Sequence, residues 1–412
     1  MSSVIIIGGG AAGMTAAIAA AMCGDRVTVL ERMDRVGKKI LATGNGRCNL
    51  MNTGELRYPG GTQLAEAVLG RFGAQEQRRF WEHLGLRLRQ EDGRRVYPIS
   101  GAASTVLDTL RQSMASLGVE EVTGAGVSSI KAGKRGWIVS AGDREYKADR
   151  VIVAGGGCAQ PKLGSDGSAW PLLTSLGHTL IKPHPALTQI ITDTEDIRGL
   201  SGIRVRTDVR ITRGREERYA ESGELLFADY GVTGVCVMQC ARYVRPGDDL
   251  HIDLTKAMGF SCPEEFRREL MRRCSAWDQP PYGNSRLSQR ELLTGLCLPK
   301  LAIALFRTAG IENSHEPVKG GISRQAIDRL VQTAADFRLR IKGVKGFESA
   351  QVTAGGISAD EFDPATMASR IAPGIHAAGE VLDVDGDCGG YNLMFAFGSG
   401  ILAGLNGRDL PM

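Results

Sequence analysis

The chain has 412 residues, of which 42% are hydrophobic and 23% are charged, and its formal net charge is +4. This length accommodates two or three domains with separate cores, and the composition is that of an ordinary globular enzyme rather than of a disordered or fibrous chain. The positive charge is mild and scattered along the sequence, which argues against nucleic acid as a partner.

The first elements form a βαβ unit. The apolar run SVIII predicts a buried parallel strand, and the Ala-rich stretch AAGMTAAIAAAMCG predicts a closely packed helix that ends at Gly24. The stretch RVTVLE predicts the second strand. The three elements span about 30 residues, the size expected of such a unit.

The next 150 residues predict a mixture of helices and strands. Three helices are expected between Gln63 and Leu117, around LAEAVLGRF, AQEQRRFWEHL and AASTVLDTLRQSMASL, with a hairpin at LRLRQEDGRRVYP. Two further strands joined by a turn lead into the apolar strand of ADRVIVAGGG. Beyond Pro183, short alternating stretches predict a β-rich region, then helical patterns dominate, and FRLRIKGV predicts a strand that returns to the β-rich region.

The glycines of VIIIGGGAAG predict a dinucleotide site. Gly8, Gly10 and Gly13 have the G-x-G-x-x-G spacing between a strand and a helix, and Glu31 closes the next strand. The first glycine permits a sharp turn, the second lets a diphosphate approach the backbone, and the third lets helix and sheet pack closely. The free N–H groups at the helix N-terminus favour phosphate, and Glu31 is expected to accept hydrogen bonds from ribose hydroxyls, which disfavours NADP here.

Three later segments favour a flavin over nicotinamide. They are a strand that runs into glycines, a strand that ends beside an acidic residue, and a glycine pair before an apolar helix: Ala154, Gly155 and Gly156; Gly379 and Glu380; Gly389 and Gly390. The carboxylate is expected to bind ribityl hydroxyls. The last helix is expected to direct its N-terminus at the pyrimidine end of the flavin, where negative charge collects on reduction.

These blocks make the sequence similar to a known family. It resembles the two-dinucleotide-type FAD flavoproteins in general and, more closely, the HI0933-like family, also described as the aminoacetone oxidase family of FAD-binding enzymes. The matching blocks include GKKILATGNGRCNLMN, RVYPISGAASTVLDTL, GGGCAQPKLGSDGSAW and AAGEVLDVDGDCGGYNLMFAFGSGILAG. One departure is Met51, where the family pattern has threonine.

The resemblance implies that the loop ATGNGRCN runs beside the cofactor, although an ordinary surface turn is the alternative explanation. Its glycines permit close approach, its amides match the mixed donors and acceptors of a flavin, and its arginine matches negative charge. The full set of cofactor-binding residues expected from motif and resemblance is Gly8, Gly10, Ala11, Ala12, Gly13, Glu31, Arg32, Lys39, Gly44, Arg47, Cys48, Asn49, Val127, Ala154, Gly155, Gly156, Gly379, Glu380, Gly389, Gly390, Tyr391 and Asn392.

The resemblance also implies an α/β fold with a Rossmann-like FAD-binding domain built from both chain ends, an inserted β-barrel-like domain and a helical subdomain. The substrate is expected between domains. The changes of pattern along the chain set the expected boundaries: 1–186 and 351–412 for the FAD-binding domain, 187–258 and 337–350 for the β-rich insertion, and 259–336 for the helical subdomain.

The reaction is expected to take place at the flavin, because the sequence contains no Ser-His-Asp elbow, HExxH motif or P-loop. A single dinucleotide fingerprint is present, so NADH or NADPH is expected to bind only transiently as electron donor. The first hypothesis, implied by the resemblance, is reduction of an activated C=C bond in a 3-oxo-Δ4/Δ6 bile-acid or steroid-like enone. The alternatives are an oxidase of a small amine such as aminoacetone, and an FAD-containing protein that binds a partner or RNA.

The enone reduction needs a proton donor, and the candidates are Tyr391, Tyr230 and Cys48; Tyr391 is equally well explained as a core residue. We expect a small-molecule substrate, no nucleic-acid partner and no metal, since no two of the nine cysteines form a CxxC pair. The absence of a signal sequence and of a run of about 18 apolar residues predicts a cytoplasmic protein without a membrane segment. The oligomeric state is left open.

Overall fold

The computed structural model describes residues 2–277, 289–311 and 322–411. In these ranges, strands β1–β19 and helices α1–α12 are numbered in chain order. The chain divides into two compact units: unit 1 comprises Met1–Ala186 and Phe347–Met412, and unit 2 comprises Leu187–Gly346. Parts of the predicted helical subdomain, at 278–288 and 312–321, lie outside the described residues.

Unit 1 is organised around a five-stranded parallel sheet with strand order β19-β10-β1-β2-β6. Its central strands are apolar and buried, as expected when both faces of a parallel sheet are covered. This confirms the predicted βαβ unit and the Rossmann-like α/β core. The bounds are β1 Ser3–Ile7, β2 Arg26–Leu30, β6 Glu120–Val122, β10 Arg150–Val153 and β19 Ile375–Ala377, with helix α1 at Ala11–Met22.

The two ends of the chain meet where α1 packs against α12, Tyr391–Leu405. Small residues allow this close contact. A Cβ at Gly400 would lie 2.3 Å from the Ala12 carbonyl oxygen, and one at Gly404 would lie 2.4 Å from the Ala16 carbonyl oxygen. The glycines of GSGILAG are therefore packing residues of a helix pair, which brings the C-terminal segment to the start of α1.

The rest of unit 1 consists of three small antiparallel sheets and five helices. The three helices and the hairpin predicted between residues 63 and 117 are confirmed as α3, α4, α5 and the β4–β5 pair. The bounds are β3 Met51–Asn52, β4 Leu88–Glu91, β5 Arg95–Pro98; β7 Val127–Ala132, β8 Trp137–Ala141, β9 Arg144–Ala148; β11 Leu180–Ala186, β18 Val352–Ile357; and α2 Lys38–Ala42, α3 Thr62–Arg71, α4 Ala74–His83, α5 Ala103–Ser116, α6 Trp170–Thr174.

Unit 2 contains a closed antiparallel barrel with strand order β12-β15-β14-β13-β16-β17. The stretch FRLRIKGV forms β17, where buried apolar residues alternate with exposed basic ones because one face of the strand meets the barrel core. The bounds are β12 Ile190–Thr192, β13 Arg204–Arg213, β14 Glu216–Ala228, β15 Gly231–Thr233, β16 Asp249–Ile252, β17 Phe337–Val344; and α7 Val235–Cys240, α8 Leu254–Ala257, α9 Pro263–Trp277, α10 Pro299–Thr308, α11 Arg324–Ala335.

Among the helices of the described ranges, none combines the length and the apolar character needed to cross a membrane.

Candidate functional site

The main cavity of unit 1 lies at the carboxyl ends of β1, β2, β10 and β19, the edge of a parallel sheet at which such folds bind ligands. Each of these strands is followed directly by residues that line the cavity. Of the residues expected to bind the cofactor, the cavity brings together Gly8, Gly10, Ala11, Ala12, Glu31, Lys39, Ala154, Gly155, Gly156, Gly379, Glu380 and Asn392. They come from both ends of the sequence.

The three glycines of the first turn have different environments. Gly8 has a φ of +100°, and a Cβ there would lie 2.6 Å from the Ala154 carbonyl oxygen. A Cβ at Gly13 would lie 1.9 Å from the Gly8 carbonyl oxygen, so this glycine permits the helix to pack on the turn. A Cβ at Gly10 would meet no atom within 4 Å and would project where a ligand has to approach.

The N-terminus of α1 has no side-chain cap and no acidic residue in its first turn. The first N–H groups of a helix have no partner within the helix and carry roughly half a positive charge, so they favour an anion. Ala11 and Ala12 offer these groups beside a cavity that reaches the open position at Gly10. The arrangement therefore fits a diphosphate.

Glu31 is buried and held by the backbone on both of its oxygens. Its Oε2 accepts a hydrogen bond from the N–H of Gly9 at 2.7 Å, and its Oε1 accepts one from the N–H of Met33 at 2.7 Å. Each carboxylate oxygen has two lone pairs, so both retain capacity to accept a ribose hydroxyl. The side chain is thus fixed in place at the cavity wall before any ligand binds.

Glu380 and Lys39 form an ion pair in the wall of the same cavity. The Nζ of Lys39 lies 2.7 Å from Oε2 of Glu380 and 3.3 Å from Oγ of Ser165. The other carboxylate oxygen, Oε1, accepts a hydrogen bond from the N–H of Thr353 at 2.9 Å. This pair presents both donors and acceptors, which suits the hydroxyls of a ribityl chain better than a lone carboxylate would.

A second, adjoining cavity is lined by Arg32 and Val127. It shares Gly8, Glu31, Gly155 and Gly164 with the first. The guanidinium of Arg32 pairs with Asp166. Burial opposes ionisation of Asp166, but hydrogen bonds from Ser168 and Arg32 outweigh it and lower the pKa of this carboxyl. Arg32 and Val127 do not line the main cavity. They line the second cavity together with Glu31.

The remaining expected residues line neither of the two cavities. They are Gly13, Gly44, Arg47, Cys48, Asn49, Gly389, Gly390 and Tyr391. Gly390 has a φ of +101°, and a Cβ there would lie 2.7 Å from the Met51 carbonyl oxygen and 2.8 Å from Oδ1 of Asn49. This Oδ1 is buried and has no hydrogen-bond partner within the described ranges. The contacts of these residues with a cofactor stay predictions.

Arg47 contacts two residues of the β4–β5 hairpin, and its contact with the cofactor stays a prediction. Its guanidinium lies 2.6 Å from Oε1 of Glu91 and 4.3 Å above the ring of Tyr97. The hydrogen bond from Arg47 lowers the pKa of Glu91, so this carboxylate is ionised and already compensates the positive charge on which the sequence argument relied.

The candidate proton donors have distinct environments. Cys48 is completely buried, and burial raises the pKa of its thiol to about 12. Tyr391 is also buried, its ring lies edge-on to Tyr58 at 5.8 Å, and burial raises its pKa. Tyr230 lies in unit 2, where the Nζ of Lys345 is 4.3 Å from its ring and burial raises its pKa. All three stay predictions.

Sequence reasoning did not single out several residues of the main cavity, among them Gly9, Met33, Gly37, Gly164 and Ser165. The N–H of Gly37 donates to the Gly9 carbonyl oxygen at 2.8 Å, which ties the loop after β2 to the first turn. The glycines of VGKK and of the block GGGCAQPKLGSDGSAW could have indicated these residues, because glycines permit the backbone to approach a ligand closely.

The fold and this site define a dinucleotide-binding oxidoreductase that uses FAD. The model of the HI0933-like protein Rossmann domain matches residues 2–406. The chain belongs to this family.

Several curated relatives match over almost the full length. The 3-dehydro-bile acid Δ(4,6)-reductase of Clostridium scindens is 36% identical over 417 residues, covering 100% of both chains. A ribosomal RNA dihydrouridine synthase of Haemophilus influenzae is 26% identical over 411 residues, covering 98% of this chain and 97% of the relative.

Among solved structures, the chain resembles the 3-ketosteroid-Δ4-(5α)-dehydrogenase of Rhodococcus jostii RHA1 in complex with 4-androstene-3,17-dione. The TM-score is 0.50 at 17% identity, with 99% of this chain and 97% of the other chain covered. At this identity the likeness concerns the fold alone.

Proposed function

We propose that this protein reduces a C=C bond conjugated to a carbonyl group, in a 3-oxo-Δ4 enone or a 3-oxo-Δ4,6 dienone of the bile-acid or steroid type, with NADH or NADPH as the transient electron donor. The observation that carries the proposal is the full-length relationship to the 3-dehydro-bile acid Δ(4,6)-reductase, at 36% identity. The cavity at the start of α1 supports the FAD that such a reaction uses.

Bound FAD would supply the hydride for the reduction. The protein's part is to hold this cofactor. The N–H groups of Ala11 and Ala12 would bind its diphosphate, Glu31 would accept from the ribose hydroxyls, and the Lys39–Glu380 pair would meet the ribityl chain. The N-terminus of α12 would favour the negative charge that develops at the ring.

The product also needs a proton at the carbon next to the carbonyl. A neutral phenol or thiol can donate one if it lies within hydrogen-bond reach of that carbon. Burial keeps Cys48, Tyr391 and Tyr230 protonated through the neutral range, because the pKa of each is raised. Each side chain is therefore in the protonation state that a proton donor requires. Substitution of each residue in turn has to identify which one donates the proton.

A second candidate function follows from the relative named as a ribosomal RNA dihydrouridine synthase. Dihydrouridine differs from uridine by saturation of a C=C bond conjugated to a carbonyl, so the two functions share a reaction class and differ in substrate. The mild net charge of +4 favours the small molecule. Oxidation of a small amine such as aminoacetone is an alternative that neither relative's name supports.

Anaerobic stopped-flow spectroscopy tests these functions. The purified holoprotein is reduced with NADH or NADPH and then mixed with an enone steroid, with uridine-containing ribosomal RNA or with buffer. Rapid reoxidation by the enone alone is the expected result. Reoxidation by RNA but not by the enone would select the second candidate, and bleaching by aminoacetone without nicotinamide would select the oxidase.

A further inference from the structure

One face of the small β3–β5–β4 sheet in unit 1 carries several arginines. Arg95 lies opposite Glu91 on one neighbouring strand and opposite Asn52 on the other, and Arg89 lies opposite Tyr97. Directly opposed residues, and residues two apart along a strand, share a face of the sheet. The guanidinium of Arg47 covers the ring of Tyr97 on this face. We call Arg47, Arg89 and Arg95 the arginine face.

The arginine face carries more positive than negative charge. Arg47 and Arg89 approach the same oxygen of Glu91, at 2.6 Å and 2.9 Å, so two guanidinium groups share one carboxylate. Arg95 lies 3.6 Å from Asp92, whose side chain is 70% exposed, and water weakens a pair of that kind. The three arginine side chains are 40%, 44% and 38% exposed, which leaves guanidinium N–H groups open to solvent.

This face adjoins the start of α12. The Nδ2 of Asn52, the residue paired with Arg95, donates to the Gly389 carbonyl oxygen at 2.8 Å. Gly389 and Gly390 directly precede the helix, and Met51 of β3 lies against Gly390. The arginine face therefore extends outward from the turn at which the flavin ring is expected.

We propose that Arg89 and Arg95 bind an oxyanion of the substrate, and that this oxyanion is the carboxylate of a bile-acid-like enone. The inference rests on the proposed function and names the group by which its substrate is recognised. A guanidinium binds a carboxylate through two parallel hydrogen bonds, which gives direction as well as charge. Arg47 acts as a positioning residue. Because it shares the carboxylate of Glu91 with Arg89, that carboxylate neutralises the positive charge of Arg89 only in part.

The test compares 3-oxochol-4-en-24-oate with its methyl ester, which has the same enone and no carboxylate. The variants are Arg89→Gln and Arg95→Gln, with Arg135→Gln as a control at an exposed arginine between β7 and β8 of unit 1. We expect each test variant to raise KM for the acid at least about tenfold, the loss of one charged hydrogen-bonding group, with kcat unchanged. The ester and the control variant should show no change.

Binding to the oxidised holoprotein, followed by the change in flavin absorption, gives a readout that does not require turnover. If neither compound is reduced but the acid binds more tightly than the ester and Arg89→Gln removes the difference, the proposed function fails and the carboxylate site stands. Equal losses for acid and ester, no loss at all, or no binding of the acid to the unmodified protein would overturn the inference.

Oligouridylate RNA provides the last arm of the test. If Arg89→Gln weakens binding of this RNA and leaves binding of the acid unchanged, the arginine face contacts phosphate and the carboxylate assignment is wrong. FAD content and the unfolding temperature of each variant, compared with Arg135→Gln, separate these effects from a change in folding.

Discussion

The two ends of the expected cofactor site differ in how they are built. At the phosphate end, formed by the first turn with Gly8, Gly10 and Gly13 and by Glu31, the groups that face the cavity are backbone N–H groups and one carboxylate held by backbone. At the ring end, formed by the loop 43–49 and the turn before α12, Gly390 lies against Asn49, and Cys48 and Tyr391 are buried. The phosphate end follows from a short sequence motif, whereas the ring end depends on contacts between residues that are far apart in the sequence.

The largest effect is expected at Gly13, where the phosphate end depends on backbone packing. A Cβ there would lie 1.9 Å from the Gly8 carbonyl oxygen, which is backbone and has little room to move. Gly13→Ala should lower the free energy of unfolding of the apoprotein by more than about 3 kcal/mol. Urea denaturation of FAD-free protein measures this directly. An unchanged midpoint would show that the turn relaxes and that the packing argument is wrong.

Gly10→Ala is the matched change three residues earlier. Its Cβ meets no protein atom within 4 Å, so we expect the apoprotein to be as stable as the unmodified one. The methyl group would occupy the diphosphate's approach, and the FAD affinity should fall about hundredfold, or about 2.7 kcal/mol. Fluorescence titration with FAD gives the affinity. Full FAD affinity in Gly10→Ala would place the diphosphate elsewhere.

His376 is buried in β19, next to the edge of the cavity. Its pKa shows the effect of burial on an ionisable side chain in this core. Burial lowers its pKa from 6.5 to about 4. Between these pH values the unfolded chain binds a proton that the folded chain does not, so stability is lost as the pH falls. At about pH 5 the loss from this residue should be about 2 kcal/mol.

His376→Gln removes this titration while keeping a hydrogen-bonding group opposite Asn406. The difference in free energy of unfolding between neutral pH and about pH 5 should shrink by that amount in the variant. Denaturant unfolding at both pH values provides the measurement. The same pH dependence in both proteins would mean that His376 accepts its proton in the folded state.

The smallest effect is expected for Glu31→Gln, which sharpens the account of the phosphate end. The amide keeps one acceptor oxygen for the N–H of Gly9 or Met33, but its NH2 group faces the other donor. FAD affinity should fall about tenfold through the weaker ribose contacts. Glu66→Gln, at an exposed glutamate of α3, is the control. Equal affinities in both variants would remove Glu31 from the ribose site.

Sequence reasoning succeeded where local rules fix the structure. The βαβ unit, the glycine turn, the hairpin at β4–β5 and the alternating barrel strand β17 each follow from periodicity and turn residues within a short window. The ion pair of Lys39 with Glu380 joins residues 341 positions apart, and that of Arg47 with Glu91 joins residues 44 positions apart. Partners of that kind depend on tertiary packing, which a single sequence does not contain.

The structure of the protein with bound FAD, determined by crystallography, tests the central claim most directly. The account predicts a diphosphate within hydrogen-bond distance of the N–H groups of Ala11 and Ala12, with the isoalloxazine ring at the N-terminus of α12. A diphosphate bound away from α1, or a protein that takes up no FAD when it is supplied in excess, would contradict it.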